Sequence, residues 1–247
     1  MITLSVSVET TPWSLSGRDV TRCLRQPLGA RLFRRPTIYG MEVEPGTIVV
    51  LNGVPRSGKS SIAAAMQASS SDPWINLGVD LWRKATPPKF QPGIGLRPGG
   101  ERPDLEPFVV ASFAGLYDAI AAQSRLGLNV VVDVGHHDAF SRPLHVLPMC
   151  AARLRGLPVL FVGVRCPVPV ILARRNASKG YAGGSVEAGV PDAVQRWQVE
   201  VHRLGNYDLE VDTSRQSPDE CATVIRERLA SGTPGDAFPD LARRSGA

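Results

Sequence analysis

The sequence predicts a three-layer α/β fold in which a five-stranded parallel sheet lies between two layers of helices. Short runs of β-branched residues alternate along the chain with longer segments that favour helix, as expected for parallel strands joined by crossover helices. A glycine-rich loop directly follows the first of these runs. The length of 247 residues is sufficient for one such domain with an extension.

Each predicted element follows from a local pattern. Apolar runs predict the five strands, at residues 47–52, 74–79, 129–133, 158–165 and 207–212. Helices are expected from the loop to about residue 69 and at residues 108–126, 138–155, 168–175 and 218–229. The helix at 138–155 is expected to be interrupted near Pro143 and Pro148. Residues 82–107 contain six prolines and four glycines, which predicts an irregular loop that is functional or mobile.

The composition divides the chain into three parts. Residues 1–43 form a basic extension, with six arginines against two acidic residues in the first forty. We expect this extension to be poorly ordered, or to be an artefact of a start site upstream of Met41. Residues 44–232 form the main domain, whose nearly balanced charge does not indicate a nucleic-acid-binding surface. Residues 233–247 are expected to be a flexible tail.

The composition also disfavours several classes of protein. No apolar run approaches the ~20 residues of a membrane span, and the chain opens without a secretory signal pattern. The four cysteines form no CxxC pair and no zinc-binding spacing. We therefore expect a cytoplasmic protein without a membrane partner, and the oligomeric state stays open. No catalytic or metal-binding role is assigned to the four histidines, His136, His137, His145 and His202.

The glycine-rich loop has the phosphate-binding pattern Gly-x-x-x-x-Gly-Lys-Ser over residues 53–60. Its backbone N–H groups and the positive end of the following helix predict binding of a nucleoside triphosphate. Lys59 is expected to reach the β- and γ-phosphates, and the Ser60 hydroxyl to coordinate Mg²⁺. The predicted nucleotide-binding residues are Gly53, Val54, Pro55, Arg56, Ser57, Gly58, Lys59, Ser60 and Ser61. The chain lacks the Asn-Lys-x-Asp motif of regulatory GTPases.

Two aspartates end predicted strands at the edge of the sheet where ligands bind in this fold class. Asp133 follows three valines and is predicted to hold Mg²⁺, directly or through water. Its alternative role is to cap the next turn. Asp80 follows the second strand and is predicted to be the general base that accepts the proton of an attacking hydroxyl. The alternative for Asp80 is an N-cap of residues 81–84, and the two roles are compatible.

A basic segment follows the fourth predicted strand. Arg174, Arg175 and Lys179 lie just before three glycines in residues 180–184. Cations beside glycine hinges are typical of a lid that closes over phosphates and spreads the charge of a transition state. Arg174 and Arg175 are therefore candidate catalytic residues. A solvated helix C-terminus, where cations are favoured, explains the same pattern equally well.

Six stretches of the chain, residues 48–53, 57–60, 78–80, 131–133, 162–166 and 207–213, resemble the chloramphenicol phosphotransferase family. The sequences Val-Gly-Val-Arg-Cys and Tyr-Asp-Leu-Glu-Val-Asp-Thr carry most of this resemblance. It implies an adenylate-kinase-like P-loop fold, ATP with Mg²⁺, and transfer of the γ-phosphoryl group to a substrate alcohol. It also implies that Asp80 is the general base and that Arg174 and Arg175 belong to a lid. The family prototype has paired acids where this chain has Asp133 followed by Val134.

These observations favour an ATP-dependent O-phosphotransferase, a small-molecule kinase that transfers the γ-phosphoryl group to a hydroxyl. Chloramphenicol or a related antibiotic is one candidate acceptor and would connect the protein to antibiotic resistance. A sugar, a nucleoside or another metabolite alcohol is the alternative acceptor. A protein of a different class, a nucleotide-binding switch or interaction protein without transfer activity, is the third interpretation. Residues 84–106 are expected to determine the acceptor.

Overall fold

The apolar runs form a central sheet whose five strands are all parallel. In the computed structural model these strands are β3 (Ile48–Asn52), β4 (Trp74–Asn76), β5 (Asn129–Val134), β6 (Val159–Arg165) and β7 (Leu209–Asp212). Two short strands that pair antiparallel precede them, β1 (Thr37–Ile38) and β2 (Met41–Glu42). The order across the main sheet is β4-β5-β3-β6-β7, which confirms the predicted five-stranded parallel sheet.

The structure describes residues 37–38, 41–91, 98, 102–179, 190–203 and 206–244. Nearly all of the predicted basic extension lies outside these residues, as do the three glycines of the predicted lid. The described residues belong to one compact unit, residues 35–247. The predicted domain boundaries at residues 43 and 232 stay predictions.

Helices cover both faces of the sheet because its strands bury side chains on both faces. The helices are α1 (Lys59–Ser69), α2 (Val79–Lys84), α3 (Glu106–Arg125), α4 (Val146–Arg153), α5 (Val168–Lys179), α6 (Val190–Arg203), α7 (Pro218–Ala230) and α8 (Ala237–Arg244). Within β3, Ile48 and Val50 join the core under α3, α4 and α8, whereas Val49 and Leu51 join the core under α1 and α7. This arrangement confirms the three-layer α/β fold.

The register of the strands gathers several loops at one edge of the sheet. Asn52, the last residue of β3, pairs with Val134 of β5 and with Gly163 of β6. The phosphate loop, defined as residues 53–60, therefore leaves the sheet between these two neighbouring strands. The segments that follow β4, β5, β6 and β7 start at the same edge, because parallel strands all have their carboxyl ends there.

Two predicted elements differ from the structure near this edge. The strand expected at 74–79 ends at Asn76, and α2 begins at Val79. The helix expected at 138–155 forms only from Val146 to Arg153. The residues before it do not form a helix because side chains take their backbone N–H groups: Asp138 Oδ1 accepts from the N–H groups of Leu144 and His145.

The predicted flexible tail is wrong for residues 237–244, which form α8. Phe238 and Leu241 are buried in the core beside α4 and β6, and Asp208 accepts hydrogen bonds from the backbone N–H groups of Asp236 and Ala237. The sequence analysis also missed α6. The buried residues of α6 are Val194, Trp197 and Val201, a spacing that matches one face of a helix.

The 23-residue segment Pro103–Arg125, which contains α3, is long and apolar enough to cross a membrane by length and composition alone. Core helices share these properties. Leu116, Tyr117 and Ile120 of α3 are buried in the cluster under α3, α4 and α8. Packing against the sheet therefore explains the apolar character of this helix.

Candidate active site

The phosphate loop follows β3 and closes on α1 through two glycines that the backbone requires. A Cβ atom on Gly53 would lie 2.6 Å from the carbonyl oxygen of Val164 on β6, so a side chain does not fit there. Gly58 has a φ of +98°, a conformation that glycine adopts at little cost. Gly58 is also the N-cap of α1, and within the described structure no side chain caps this helix. The first N–H groups of α1 can therefore bind an anion.

Lys59 is buried beside this loop. Its Nζ donates to the carbonyl oxygen of Val54, 2.8 Å away, and lies 3.5 Å from Asp133 Oδ1. Burial lowers the pKa of Lys59, while the negative charges of Asp133 and Asp80 raise it. The ammonium group is thus held beside the phosphate loop by the Val54 carbonyl oxygen and the Asp133 carboxylate.

Ser60 and Asp133 bring two oxygen ligands together at the start of α1. The Ser60 hydroxyl donates to Asp133 Oδ2 at 2.5 Å, across the gap between α1 and the end of β5. Hydroxyl and carboxylate oxygens are the hard donors that Mg²⁺ prefers, so this pair fits the metal. Val134 is buried in the sheet, which leaves Asp133 as the acid at this strand end.

Asp80 lies at the same edge, in the first turn of α2. The N-cap residue of α2 is Gly78, so the alternative of Asp80 as an N-cap is wrong. Gly78 passes close to β5, because a Cβ atom there would be 3.0 Å from the Cβ of Asp133. The side chain of Asp80 is 74% exposed, and Arg83 Nε donates to its Oδ1 at 3.4 Å. Asp80 is an accessible carboxylate, and its negative charge raises the pKa of Lys59.

Arg174 lies on α5 and extends to the phosphate loop. Its Nη1 donates to Thr213 Oγ1 at 3.0 Å and, more weakly, to the carbonyl oxygen of Arg56 at 3.4 Å. Arg175 is the next residue of α5 and is half-buried. α5 continues to Lys179, so neither arginine is at the end of the helix. The alternative that Arg174 lies at a solvated helix C-terminus is therefore wrong.

The sequence analysis missed a buried polar network beneath the loop. Asn52 is fully buried at the end of β3. Its side-chain oxygen Oδ1 accepts from the backbone N–H of His136 at 2.7 Å. Its side-chain nitrogen Nδ2 donates to the Tyr207 hydroxyl at 2.9 Å and to the carbonyl oxygen of Val201 at 3.1 Å. The polar residue that ends an otherwise apolar strand was the available signal. The network joins β3 to α6 and to the start of β7.

Three histidines at this edge contact tyrosine hydroxyls or aromatic rings in the interior. A hydrogen bond of 2.8 Å joins His136 Nε2 to the Tyr117 hydroxyl, and burial lowers the pKa of His136 to about 3. His137 is buried between Phe140 and Trp197, with ring centroids at 4.5 Å and 5.1 Å. His202 of α6 lies 2.8 Å from the Tyr207 hydroxyl through Nδ1, and burial lowers its pKa to about 4.

Comparison with known proteins gives one family. The model of the family described as "chloramphenicol phosphotransferase-like protein" matches residues 46–230. Two curated proteins from Mycobacterium tuberculosis strains, which carry the provisional name O-phosphotransferase, are each 27% identical to this chain over 235 residues. The alignments cover 88% of this chain and 97% of each relative.

Solved structures of low sequence identity share the fold. A sugar kinase from Janibacter sp. HTCC2649 has a TM-score of 0.51 at 20% identity, covering 80% of this chain and 99% of its own. The APS kinase CysC from Mycobacterium tuberculosis, solved with AMPPNP and APS, has a TM-score of 0.51 at 19% identity, covering 75% and 98%. The tunicamycin resistance protein of Deinococcus radiodurans has a TM-score of 0.51 at 20% identity, covering 74% and 95%. The fold is thus that of P-loop kinases.

Proposed function

Because the chain belongs to the chloramphenicol phosphotransferase-like family and is thereby a small-molecule phosphotransferase, we propose that it uses ATP and Mg²⁺ to phosphorylate a hydroxyl of a small molecule. One observation carries this proposal: a single edge of the sheet holds the phosphate loop with Lys59, the Ser60–Asp133 oxygen pair and the accessible Asp80. These are the parts that phosphoryl transfer requires, namely an anion site, a metal site and a base.

In this proposal the loop amides and Lys59 bind the β- and γ-phosphates of ATP. Ser60 and Asp133 hold Mg²⁺, which supplies positive charge to the phosphate oxygens when bound. Lys59 is already buried with carboxylate partners, so its charge is positioned before the nucleotide arrives. Arg174, which reaches the loop from α5, adds a second positive charge beside the transferred group, and we assign Arg175 to the same role in the lid.

Asp80 is the proposed general base. Its carboxylate accepts the proton of the acceptor hydroxyl as the hydroxyl oxygen forms a bond to the γ-phosphorus. The bond from the γ-phosphorus to the β–γ bridging oxygen breaks, and ADP leaves with that electron pair. The exposure of Asp80 supports this assignment, because an acceptor must approach the carboxylate from solvent.

The acceptor we propose has an apolar or aromatic part. Leu81, Trp82 and Phe90 follow Asp80 and are the large exposed apolar side chains of the described segment 79–91. Phe90 stacks on Phe108 at the start of α3, with ring centroids 5.7 Å apart. An exposed apolar surface beside the base favours an acceptor such as chloramphenicol over a sugar. Cytoplasmic location and a contribution to antibiotic resistance are parts of the same proposal.

The test is release of ADP from ATP in the presence of Mg²⁺, screened over chloramphenicol, other antibiotics, sugars and nucleosides. We expect at least one alcohol to raise the rate above that with water alone. Asp80→Asn should bind ATP as the wild type does but lower the turnover by roughly 10²–10⁴-fold. The matched control is Asp118→Asn, which changes an exposed aspartate of α3 that is likewise paired with an arginine.

Two results would contradict the proposal. Wild-type turnover in Asp80→Asn would remove Asp80 from the mechanism. Slow ATP hydrolysis that no alcohol accelerates would instead favour a nucleotide-binding switch or interaction protein, which needs no base at the acceptor position.

A further inference from the structure

Thr213, the first residue after β7, is fixed next to the phosphate loop by the sheet. Its backbone N–H donates to the carbonyl oxygen of Arg165, the last residue of β6, at 3.1 Å. This bond continues the parallel pairing of β6 with β7 by one residue. The side chain of Thr213 is buried, so it cannot be explained as a solvent-facing loop residue.

The hydroxyl of Thr213 connects different parts of the site. It donates to the carbonyl oxygen of Ser57 in the phosphate loop at 2.6 Å, and it accepts from Arg174 Nη1 at 3.0 Å. The carbonyl oxygen of Arg165 is a more distant acceptor at 3.4 Å. A threonine hydroxyl has only one proton to donate. That proton is used by the loop, and a lone pair remains for the arginine.

A second bond completes the attachment of Arg174. Its Nη2 donates to the backbone carbonyl oxygen of Thr213 at 2.7 Å. Two bonds to one residue fix both the position and the plane of the guanidinium group. An arginine side chain that is ordered beforehand loses less conformational entropy when a ligand binds.

The position in which Arg174 is held is the flank of the phosphate loop. A Cβ atom on Gly58 would lie 3.2 Å from the Thr213 methyl carbon and 3.5 Å from Arg174 Nη1. The methyl group and the guanidinium group therefore pack against the residue that precedes Lys59. Arg174 Nη1 also lies 3.4 Å from the carbonyl oxygen of Arg56.

We infer that Thr213 is a positioning residue that holds the guanidinium group of Arg174 against the phosphate loop, where the phosphates of the nucleotide bind. The inference rests on the proposed function, because it requires that the loop bind a nucleotide and that Arg174 act on it. Thr213 acts on the nucleotide through Arg174, not by contact with the reacting atoms.

The experiment is a double-mutant cycle on nucleotide binding. Thr213→Val, Arg174→Ala and the double variant are titrated with AMPPNP in excess Mg²⁺ by calorimetry. Valine keeps the methyl group that packs on Gly58 and removes the hydroxyl. We expect Thr213→Val to weaken binding about tenfold in the wild-type background, as for the loss of a hydrogen bond to a charged group. In the Arg174→Ala background the same change should weaken binding by less than about twofold.

Two further variants separate positioning from a general loss of structure. Thr213→Ser keeps the hydroxyl and should retain binding within about twofold of the wild type. Thr223→Val is the matched control, because Arg226 Nη2 donates to Thr223 Oγ1 at 2.8 Å on the exposed side of α7. That substitution removes a hydrogen bond between the same two residue types and should leave AMPPNP binding unchanged.

The inference is overturned if Thr213→Val binds AMPPNP like the wild type, or if it loses the same factor with and without Arg174. Failure of Thr213→Ser to restore binding also overturns it. If circular dichroism shows that Thr213→Val does not fold, Thr213→Ala replaces it in the cycle with the same expectations. A wild-type protein that binds no AMPPNP contradicts the proposed function itself, which distinguishes the two failures.

Discussion

At the residue scale, burial and neighbouring carboxylates decide which side chains can carry charge at this edge of the sheet. Lys59 is buried, and the negative charges of Asp133 and Asp80 oppose the lowering of its pKa. His136 is equally buried, but burial and the neighbouring His137 both lower its pKa. Lys59 is therefore the positive charge that we propose for phosphate binding, whereas His136 is a neutral hydrogen-bonding partner of Tyr117.

The low pKa of His136 makes the stability of the fold sensitive to acid. Its folded-state pKa is about 3, against an ordinary value of 6.5, so between these values the unfolded chain binds a proton that the folded chain does not. The stability tied to the neutral ring is complete above pH 6.5 and falls by about 1.4 kcal/mol per pH unit below it. Between pH 6.5 and pH 5, we expect the free energy of unfolding in urea to fall by about 2 kcal/mol more in the wild type than in His136→Gln.

The control for this measurement is His145→Gln. The His145 side chain is 73% exposed, so this variant reports the effect of replacing a histidine by glutamine outside the core. An identical pH dependence in His136→Gln and the wild type would show that His136 is protonated in the folded protein, contrary to the account.

At the element scale, the strands were predictable and several connections were not. The central strands β3, β5 and β6 are largely runs of apolar residues, which the hydrophobic pattern identifies. The outer strands are less apolar: β4 is three residues ending in Asn76, and β7 alternates apolar and acidic residues. The segment before α4 is not helical because Asp138 and Glu106 accept hydrogen bonds from its backbone N–H groups. The Glu106 contact joins residues that are 35 positions apart, so helix propensity, which depends on local sequence, does not predict it. α8 was missed because the prolines, glycines and alanines of residues 233–247 suggest a frayed end, although Phe238 and Leu241 are spaced for one helical face.

The same scale gives a test of α8. Phe238 is buried, and its ring centroid lies 5.0 Å from that of Phe161 on β6. We expect Phe238→Ala to lower the free energy of unfolding in urea by about 3–5 kcal/mol, through lost burial and the cavity left behind. Leu126→Ala, at a side chain that is 45% exposed, should change it by less than about 1 kcal/mol. A similarly small effect of Phe238→Ala would mean that the C-terminal segment is not docked on the sheet.

At the scale of the whole molecule, the parallel topology turns residues far apart in sequence into one site. The phosphate loop, Asp80, Asp133 and Arg174 belong to different elements, yet they lie at one edge because all the strands point the same way. The phosphate loop and the two aspartates could be foreseen from this rule. The contact of Thr213 with Arg174 could not be foreseen, because the two residues are 39 positions apart in the sequence and no motif links them.

The most direct test of the account is calorimetric titration of the folded, full-length protein with AMPPNP, with and without Mg²⁺. Lys59→Met, which keeps the aliphatic stem and removes the ammonium group, is titrated in parallel. We expect the wild type to show saturable, magnesium-dependent binding and Lys59→Met to lose it, because the loop amides alone cannot balance the charge of a triphosphate. No magnesium-dependent heat from the wild type, or equal binding by Lys59→Met, would contradict it.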